Sequence, residues 1–154
     1  MRIKNKWGWK GRVDITIYNI DGTTKETVHL QNEIKNGALN AVRGLLNGTA
    51  SDIQIKYMAW GGSSTANDPA QTTLVSEFGR KQVTSQADGG VGVEVTTVYM
   101  SPFEGNTPKI EELGWFAGEA TEAADSGLLI ARVLYSHQKT FSETINVVRT
   151  DTIS

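Results

Sequence analysis

The stretch VDITIYNIDG, from Val13 to Gly22, alternates apolar and polar residues through its first six positions and ends in an Asp-Gly pair. Side chains two positions apart point to the same face of a β-strand, so this period predicts a strand with one apolar face. The apolar face comprises Val13, Ile15 and Ile17, and the opposite face comprises Asp14, Thr16 and Tyr18. Such a strand covers a core on one side only, and the pattern favours a domain built from β-sheet.

The pair Asp21-Gly22 predicts a tight hairpin turn after this strand. Glycine adopts positive φ at no steric cost, which allows the chain to reverse within two residues. We expect the return strand over residues 23–30, with Val28 and Leu30 facing inward. These two strands would form the first hairpin of the sheet.

The segment NGALNAVRGLLNG, from Asn36 to Gly48, predicts the one helix of the chain, over about residues 36–47. Asn36 is expected to cap the first turn, and Gly48 is expected to end the helix in the left-handed conformation. Gly44 lies inside the helix, where glycine is unfavourable, and indicates close packing. The residues expected on or beside the apolar face are Ala38, Leu39, Val42, Leu45 and Leu46.

A period of two returns after the helix and predicts further strands. One strand is expected over residues 53–59, with Ile53, Ile55, Tyr57 and Ala59 on one face and Gln54, Lys56 and Met58 on the other. A second hairpin is expected from the segments KQVTSQ and VGVEVTTVY, with its turn at Ala87–Gly90. In its second strand, one face would carry Val91, Val93, Val95, Thr97 and Tyr99.

Three later segments, at residues 110–116, 128–135 and 144–153, complete the predicted sheet. The segment LLIARVLY at 128–135 is nearly all apolar, as expected for a strand covered on both faces. About eight strands and one short α-helix predict a mainly β fold, a β-sandwich or barrel-like domain. We expect this single domain to occupy residues 13–154, preceded by an extended N-terminal arm over residues 1–12.

The chain has 154 residues, the length of one ordinary domain, and contains no cysteine. The absence of cysteine excludes disulfides, thiolate metal sites and cysteine nucleophiles. No segment has the apolar length of a membrane span, and the first residues lack the apolar run of a secretory signal. We therefore expect a protein that is made in the cytoplasm and does not enter a membrane.

Charge is distributed unevenly around the net value of −2. The first 12 residues hold five of the 15 basic residues and no acidic one, so residues 13–154 carry ten basic and 17 acidic residues, a net charge of about −7. An arm of this charge could bind the acidic body of a neighbouring copy, and a solvated terminus is the alternative. The acidic body disfavours nucleic acid as a partner.

Trp7 and Trp9 lie among these cations and would share one face of an extended segment. Aromatic residues flanked by cations are typical anchors for a pocket on a partner protein, and packing of both rings onto the domain's own sheet is the alternative. Trp60 and Trp115 are expected in the core or at a sheet edge. The candidate partner-binding residues are Arg2, Lys4, Lys6, Trp7, Trp9, Lys10 and Arg12.

No catalytic, metal-binding or cofactor-binding residue is predicted. The loop after Trp60, GGSSTANDPAQTT, has small residues but lacks the second glycine and the lysine of a phosphate-binding loop. His29 and His137 have no metal ligand at a useful spacing and are expected at the solvated surface, His137 in a turn. Glu111 and Glu112 are adjacent and would point to opposite faces of a strand, which does not suit catalysis by paired carboxylates.

Four segments, in this order along the chain, resemble a family of small virion proteins of tailed bacteriophages. They are NGALNAVRGLLNG at 36–48, IKYMAWGGSSTANDPAQTTLVSEFGRKQVTS at 55–85, IEELGWF at 110–116 and SGLLIARVLY at 126–135. The positions that match the family pattern are Pro69, Thr72 or Thr73, Leu74, Glu77, Arg80, Lys81, Glu112–Phe116 and Ser126–Arg132. The resemblance extends over residues 30–150, most of the chain.

The resemblance implies a structural protein of the virion rather than an enzyme. Members of the family are capsid decoration (cement) proteins or components of tail fibres and baseplates. No fibre shaft follows the last predicted strand, so we expect a decoration protein on the exterior of the capsid. Its expected partners are the major capsid protein and neighbouring copies of itself, and a homo-oligomer, a trimer by resemblance, is the expected form.

Three further readings remain open from the sequence, and a hydrolase is the least favoured of them. A tail-fibre or baseplate component would also be structural, at another place on the particle. A carbohydrate-binding β-sandwich would use an exposed aromatic side chain, Trp60 or Trp115, to stack against a sugar. The loop over residues 61–73 is expected to shape a subunit contact rather than to cradle a ligand.

Overall fold

The computed structural model describes residues 8–154. Over these residues the chain forms nine β-strands, which all belong to one sheet, and one α-helix. In chain order the elements are β1 (Trp9–Asn19), β2 (Thr24–Ile34), α1 (Asn36–Asn47), β3 (Ile55–Gly61), β4 (Glu77–Gln82), β5 (Ser85–Gly90), β6 (Val93–Met100), β7 (Ile110–Ala117), β8 (Leu128–His137) and β9 (Glu143–Ile153). The predicted fold, mainly β with one short helix, is confirmed.

The strands lie in the order β4-β3-β7-β8-β2-β1-β9-β6-β5, and each neighbouring pair is antiparallel. The hairpin predicted at Asp21-Gly22 is present, and β1 also pairs with β9 along its whole length, from Trp9 opposite Ile153 to Asn19 opposite Glu143. The first and last strands of the described chain therefore hold each other at the middle of one half of the sheet.

The sheet curls into a half-barrel because the chain passes directly from one outer strand to the other. The segment KQVTSQ was expected to form one strand, but it divides between β4 and β5 on either side of Val83 and Thr84. The amide of Val83 donates to the Lys56 carbonyl oxygen at 2.9 Å, and the amide of Thr84 donates to that of Thr97 at 2.8 Å. This two-residue link brings the two ends of the sheet together and adds a ninth strand.

The main core lies on the concave side of the curled sheet. Val13, Ile15 and Ile17 are fully buried there, and Val28 and Leu30 of β2 pack against the same cluster, as the alternation predicted. Strand β8 is buried on both faces, which also confirms the prediction from its apolar sequence. Trp60 and Trp115 are buried in this core.

The helix has the predicted bounds but packs by a different face. Ala38 and Gly44 are its buried residues, whereas Leu46, expected on the apolar face, is 86% exposed. Small residues bring the helix close to the body, and a Cβ atom at Gly44 would lie 2.8 Å from the Cβ of Ala50. Leu39 and Leu45 are also exposed, so the helix presents an apolar surface outward.

The helix ends differ from each other in how well the sequence predicted them. Lys35, rather than Asn36, is the N-terminal cap, and no side chain caps the first turn, because Lys35 holds the extended conformation there while Asn36 is already helical. Gly48 ends the helix at φ 79°, in the left-handed region, as predicted. In the described part of the chain, no helix is long and apolar enough to cross a membrane.

Two strands place their side chains differently from the expected alternation. Met58 was expected on the polar face of β3, yet it is fully buried in the core, and Ala59 is buried on the other face because both faces of β3 are covered. In β6 the core-facing residues are Thr96, Val98 and Met100, the opposite set from the one that the valines indicated. The turn of this hairpin lies at residues 91–92, beyond the expected Ala87–Gly90.

The sheet begins earlier than the expected boundary of the N-terminal arm. Strand β1 starts at Trp9, so residues 9–12 belong to the sheet. The amide of Gly8 donates to the Ser154 carbonyl oxygen at 2.6 Å, and the Ser154 amide donates to that of Gly8 at 3.0 Å. Residues 1–7, which include the predicted Arg2, Lys4, Lys6 and Trp7, lie outside the described residues.

The alternation in β1 makes a stability prediction. Ile15→Ala should lower the free energy of unfolding by about 2–5 kcal/mol, because it removes buried methyl groups and leaves a cavity in the core. Thr16→Ala, on the opposite face of the same strand, should change it by less than about 0.5 kcal/mol. Urea denaturation of the two variants measures both values. Equal losses would contradict the assignment of the two faces.

Candidate functional site

The segment between β3 and β4, the loop 62–76, lies across the outer face of the sheet. It covers a second apolar cluster, formed by Ala59, Leu74, Phe116, Ala120 and Leu129. Gly114 of β7 makes room for this cover, because a Cβ atom there would lie 2.6 Å from a methyl carbon of Leu74. The loop is therefore a packed layer of the fold and is not an open ligand cradle.

A buried ion pair fastens this loop to the sheet. The guanidinium of Arg132 on β8 and the carboxylate of Glu112 on β7 are both fully buried, with Nε and Oε2 2.5 Å apart. Arg132 also donates to the Thr65 carbonyl oxygen at 2.8 Å, and Glu112 accepts from the Ser76 amide at 2.8 Å. The further contacts are Arg132 with Asn67 and the Ser63 carbonyl, and Glu112 with the Val75 amide.

Lys35, the residue before the helix, provides a second attachment. Its buried Nζ donates to the Asp68 carbonyl oxygen at 2.8 Å and to Oε1 of Gln71 at 2.9 Å. The amide of Asn36 donates to the Pro69 carbonyl oxygen at 2.9 Å. Burial, followed by the positive charge of Arg132, lowers the pKa of Lys35. The loop is thus held to the helix as well as to the sheet.

A second ion pair holds the loop between β7 and β8. Arg80 and Glu77 on β4 form two hydrogen bonds, each 2.8 Å long, and both side chains are almost fully buried. Arg80 also donates to the carbonyl oxygens of Thr121 and Ser126, at 3.0 and 3.1 Å. Its guanidinium lies 4.4 Å from the centre of the Phe116 ring. This arginine therefore joins β4, the outer apolar cluster and the loop over residues 118–127.

These two ion pairs include several of the motif residues named in the sequence analysis. Glu77, Arg80, Glu112, Ser126 and Arg132 all belong to the polar contacts that fix the two loops. Leu74 and Phe116 form the apolar cluster beneath the loops. These motif residues thus attach the outer loops to the sheet.

The carboxylates and histidines of residues 8–154 form no cluster suited to a metal ion. Across residues 8–154, no group of three or more His, Asp and Glu side chains is placed to hold a metal ion. Glu112 binds Arg132 while Glu111 lies 3.5 Å from Lys109, so the two adjacent glutamates have separate partners. His29 is exposed, as predicted, and contacts Asp14.

His137 differs from its prediction. It ends strand β8 rather than lying in a turn, its side chain is only 15% exposed, and its ring stacks on Tyr135 with centroids 6.1 Å apart. Its Nε2 lies 3.3 Å from Oε2 of Glu143. Burial, followed by the negative charges of Glu26 and Glu143, raises the pKa of the Tyr135 hydroxyl.

Three predicted partner-binding residues fall on β1. Trp9 is half-buried, packs against the core and donates from its indole nitrogen to Oδ1 of Asp151 at 2.8 Å. The ring therefore packs onto the domain's own sheet, the alternative that the sequence left open. Nε of Arg12 lies 3.0 Å from Oδ1 of Asp14, and the Lys10 side chain is exposed. These two cations lie at the start of the sheet, next to residues 1–7.

One end of the half-barrel carries an exposed aromatic pair, Phe103 and Phe141. The side chains are 80% and 66% exposed, and their ring centroids are 6.0 Å apart with planes at 59°. Exposed Ile20 belongs to the same end, since Asn19 pairs with Glu143, two residues after Phe141. Neither phenylalanine belongs to the predicted partner-binding residues. The signal for the pair was a single phenylalanine within each of two polar loops, SPFEGN and KTFSE.

Polar contacts join the two loops that carry the aromatic pair. Asn106 donates from Nδ2 to the Pro102 carbonyl oxygen at 2.7 Å and accepts at Oδ1 from Nζ of Lys139 at 3.0 Å. Gln138 donates to the Asn106 carbonyl oxygen at 2.6 Å. Lys139 is buried, and burial lowers its pKa. These bonds link the loop of Phe103 to the loop of Phe141, and both rings are exposed.

The opposite end of the half-barrel has an apolar groove. It is lined by Trp9, Val42, Ile53, Ile55 and Ile153, together with Gln54, Gln86, Glu94 and Asp151, and has a volume of about 260 Å³. A larger and more polar cavity of about 750 Å³ lies beside it and shares Trp9. Helix α1 borders both openings, through Val42 and Leu39.

Comparison with known proteins identifies no relative. No protein-family model, no curated protein and no solved structure matches this chain. A proposal for the function therefore has to rest on the geometry of the described residues and on the resemblance of the motifs.

The Glu112–Arg132 pair yields a prediction with a neighbouring control. Glu112→Gln should lower the free energy of unfolding by about 3–5 kcal/mol, because the buried guanidinium loses its counter-charge. The amide group of glutamine would also place a donor against the amides of Val75 and Ser76. Glu111→Gln, which removes a partly exposed pair, should cost less than about 1 kcal/mol.

Urea denaturation measures both values, and limited proteolysis reports on the loop. Cleavage within the loop 62–76 should become faster in Glu112→Gln than in Glu111→Gln under conditions where both variants stay folded. Equal stability and equal cleavage of the two variants would contradict the role of the buried pair.

Proposed function

We propose that this chain is a structural protein of a tailed-bacteriophage particle, a capsid decoration protein that binds the exterior of the shell. The observation that supports contact with other subunits is the aromatic pair. Large exposed apolar patches on protein surfaces mark interaction sites, and aromatic side chains dominate the energy of protein interfaces. Phe103 and Phe141 expose most of their surface while their loops are held in place by Asn106 and Lys139.

Rigid presentation of these rings favours binding. Association loses free energy when side chains and loops must be ordered, and a surface that is ordered beforehand avoids part of that loss. Asn106 links the Pro102 carbonyl oxygen to the Lys139 ammonium, so it fixes one loop against the other. The aromatic pair is accordingly proposed as the surface that contacts the major capsid protein.

The placement of the apolar surfaces suits a bridging subunit. The aromatic pair and the apolar groove lie at opposite ends of the β1–β9 ladder, which pairs 11 residues of each strand and spans about 34 Å. A subunit with separate contact surfaces can bind the shell at one end and a neighbouring copy at the other. Repetition over a shell multiplies the effect of each contact. The proposal includes assembly of the protein into a homo-oligomer, which the resemblance implies to be a trimer.

The motif resemblance supports a virion protein, and the shape of the outer layer is compatible with it. Residues matching the family pattern lie in the contacts that fix the loops, among them Glu112 and Arg132. The carbohydrate-binding alternative named Trp60 and Trp115 as stacking platforms, and both side chains are buried. A tail-fibre or baseplate location would use the same exposed surfaces, so particle location separates it from the capsid.

The aromatic pair is tested with a double variant. Phe103→Ser with Phe141→Ser should weaken binding to shells of the encoding phage by roughly thirtyfold or more, since loss of interface anchors typically removes at least about 2 kcal/mol. Both side chains are exposed, so the folded domain should be retained and its melting temperature little changed. Co-sedimentation with shells that lack the native protein measures the binding.

Val75→Ser serves as the matched control, because Val75 is a half-exposed apolar residue of the loop 62–76 and does not belong to the aromatic pair. It should bind shells like the parent chain. Full shell binding by the double phenylalanine variant would overturn the proposed contact surface. Immunogold labelling of the tail, with no label on the shells, would assign the protein to the tail instead of the capsid.

A further inference from the structure

Within residues 8–154, Lys139 is a buried lysine that takes part in no ion pair. Only 1% of the residue is exposed. Its Nζ donates to Oδ1 of Asn106 at 3.0 Å and to the Thr140 carbonyl oxygen at 3.4 Å, and both acceptors are uncharged. Lysine is almost never fully buried unless it is paired with an opposite charge. The site therefore holds an amine in surroundings that favour its neutral form.

The neutral form of this amine is a nucleophile. Burial lowers the pKa of Lys139, although the charges of Glu143 and Glu104 act in the opposite direction. A desolvated lysine of this kind is activated to attack carbonyl carbons. The side-chain amide of Asn106, with which the amine is in contact, has such a carbon.

The Asn106 amide is held with its carbonyl group toward the amine. Its Nδ2 donates to the Pro102 carbonyl oxygen at 2.7 Å, and its backbone carbonyl oxygen accepts from Gln138 at 2.6 Å. The amide carbon, Cγ, lies one C=O bond of about 1.2 Å beyond Oδ1. A shift of less than about 1 Å therefore brings Nζ to the roughly 3–3.5 Å at which reacting atoms are aligned for attack.

We propose that the Lys139 amine and the Asn106 side-chain amide condense into an isopeptide bond within the folded chain. The lone pair of Nζ forms a bond to Cγ, and the bond between Cγ and Nδ2 breaks. One proton passes from Nζ to Nδ2, which leaves as ammonia, so the step consumes no other reactant. Glu143 is buried and its charge acts on Lys139, so its carboxylate can carry that proton.

The bond would close a covalent loop beneath the aromatic pair. Asn106 and Lys139 are 33 positions apart, and they lie in the loops that carry Phe103 and Phe141. A cross-link stabilises a protein mainly by restricting its unfolded chain. The bond forms within a single chain and can be measured without a shell. Its absence would therefore leave the proposed function standing, and loss of shell binding would leave the bond standing.

Mass spectrometry of the purified chain tests for the bond. The intact folded chain should be lighter by one ammonia than its sequence requires. Trypsin should no longer cleave after Lys139, and residues 82–109 should be joined to residues 133–149 in one branched peptide. A chain of full sequence mass, with separate peptides that end at Lys109 and at Lys139, would overturn the proposal.

Two variants form a matched pair for this measurement. Lys139→Gln removes the amine and should restore the full mass. Lys109→Gln changes a half-exposed lysine of the loop that carries Asn106, and it should retain both the loss of ammonia and the link to Lys139. Loss of the link in both variants would contradict the assignment to Lys139.

The Asn-Gly pairs Asn36-Gly37 and Asn47-Gly48 can also release ammonia, when the glycine nitrogen attacks the asparagine side chain. That product is unbranched and does not involve Lys139. A mass loss that persists in Lys139→Gln, without a branched peptide in the parent chain, would overturn the proposal.

Refolding provides a measurement that does not depend on any variant. A parent chain purified in concentrated urea should contain no branched peptide and should form it only after refolding, because the reaction needs the folded geometry. A refolded chain without the branched peptide would likewise overturn the proposal.

Discussion

The buried ion pair between Glu112 and Arg132 is the contact on which the outer layer of this protein depends. Both charged groups are fully buried, and each uses its remaining hydrogen-bonding capacity on the backbone of the loop 62–76. Removing one partner would leave a buried charge without a counter-charge, which is strongly destabilising. The loop is consequently attached to the sheet at several points, although it has no regular secondary structure. The pair at Glu77 and Arg80 acts in the same way on the loop over residues 118–127.

Buried polar contacts also lie beneath the aromatic pair at the end of the half-barrel. Lys139 is buried and bound to Asn106, and Asn106 binds the loop that carries Phe103. Polar contacts beneath the surface therefore link the loops that carry two exposed aromatic rings. A protein that acts by contact with other subunits needs a surface of this kind, because an anchor that is already in position binds with a smaller loss of conformational entropy. The structure thus links buried polar groups to exposed apolar ones, and the exposed ones carry the proposed function.

The alternation of apolar and polar residues predicted the strands that bury only one face. Val13, Ile15 and Ile17 lie in the core, and the helix extends from Asn36 to Asn47 as expected. Periodicity did not identify Met58 as buried or Leu46 as exposed, because covering segments and small-residue packing determine those positions. The motif residues were recognised by resemblance, but their roles in fixing loops come from contacts more than 20 residues apart, such as Arg132 with Ser63 and Thr65. No local pattern encodes such contacts. The aromatic pair likewise joins two loops distant in sequence.

The central claim is that this protein acts by filling contact surfaces between other subunits. A cryo-electron microscopy reconstruction of the phage particle to which the proposal assigns this protein tests it most directly. The account predicts density for this half-barrel on the shell exterior, with the end that carries Phe103 and Phe141 against the coat subunits. A particle in which the protein is absent, or in which that end faces open solvent with no subunit beside it, would contradict the account.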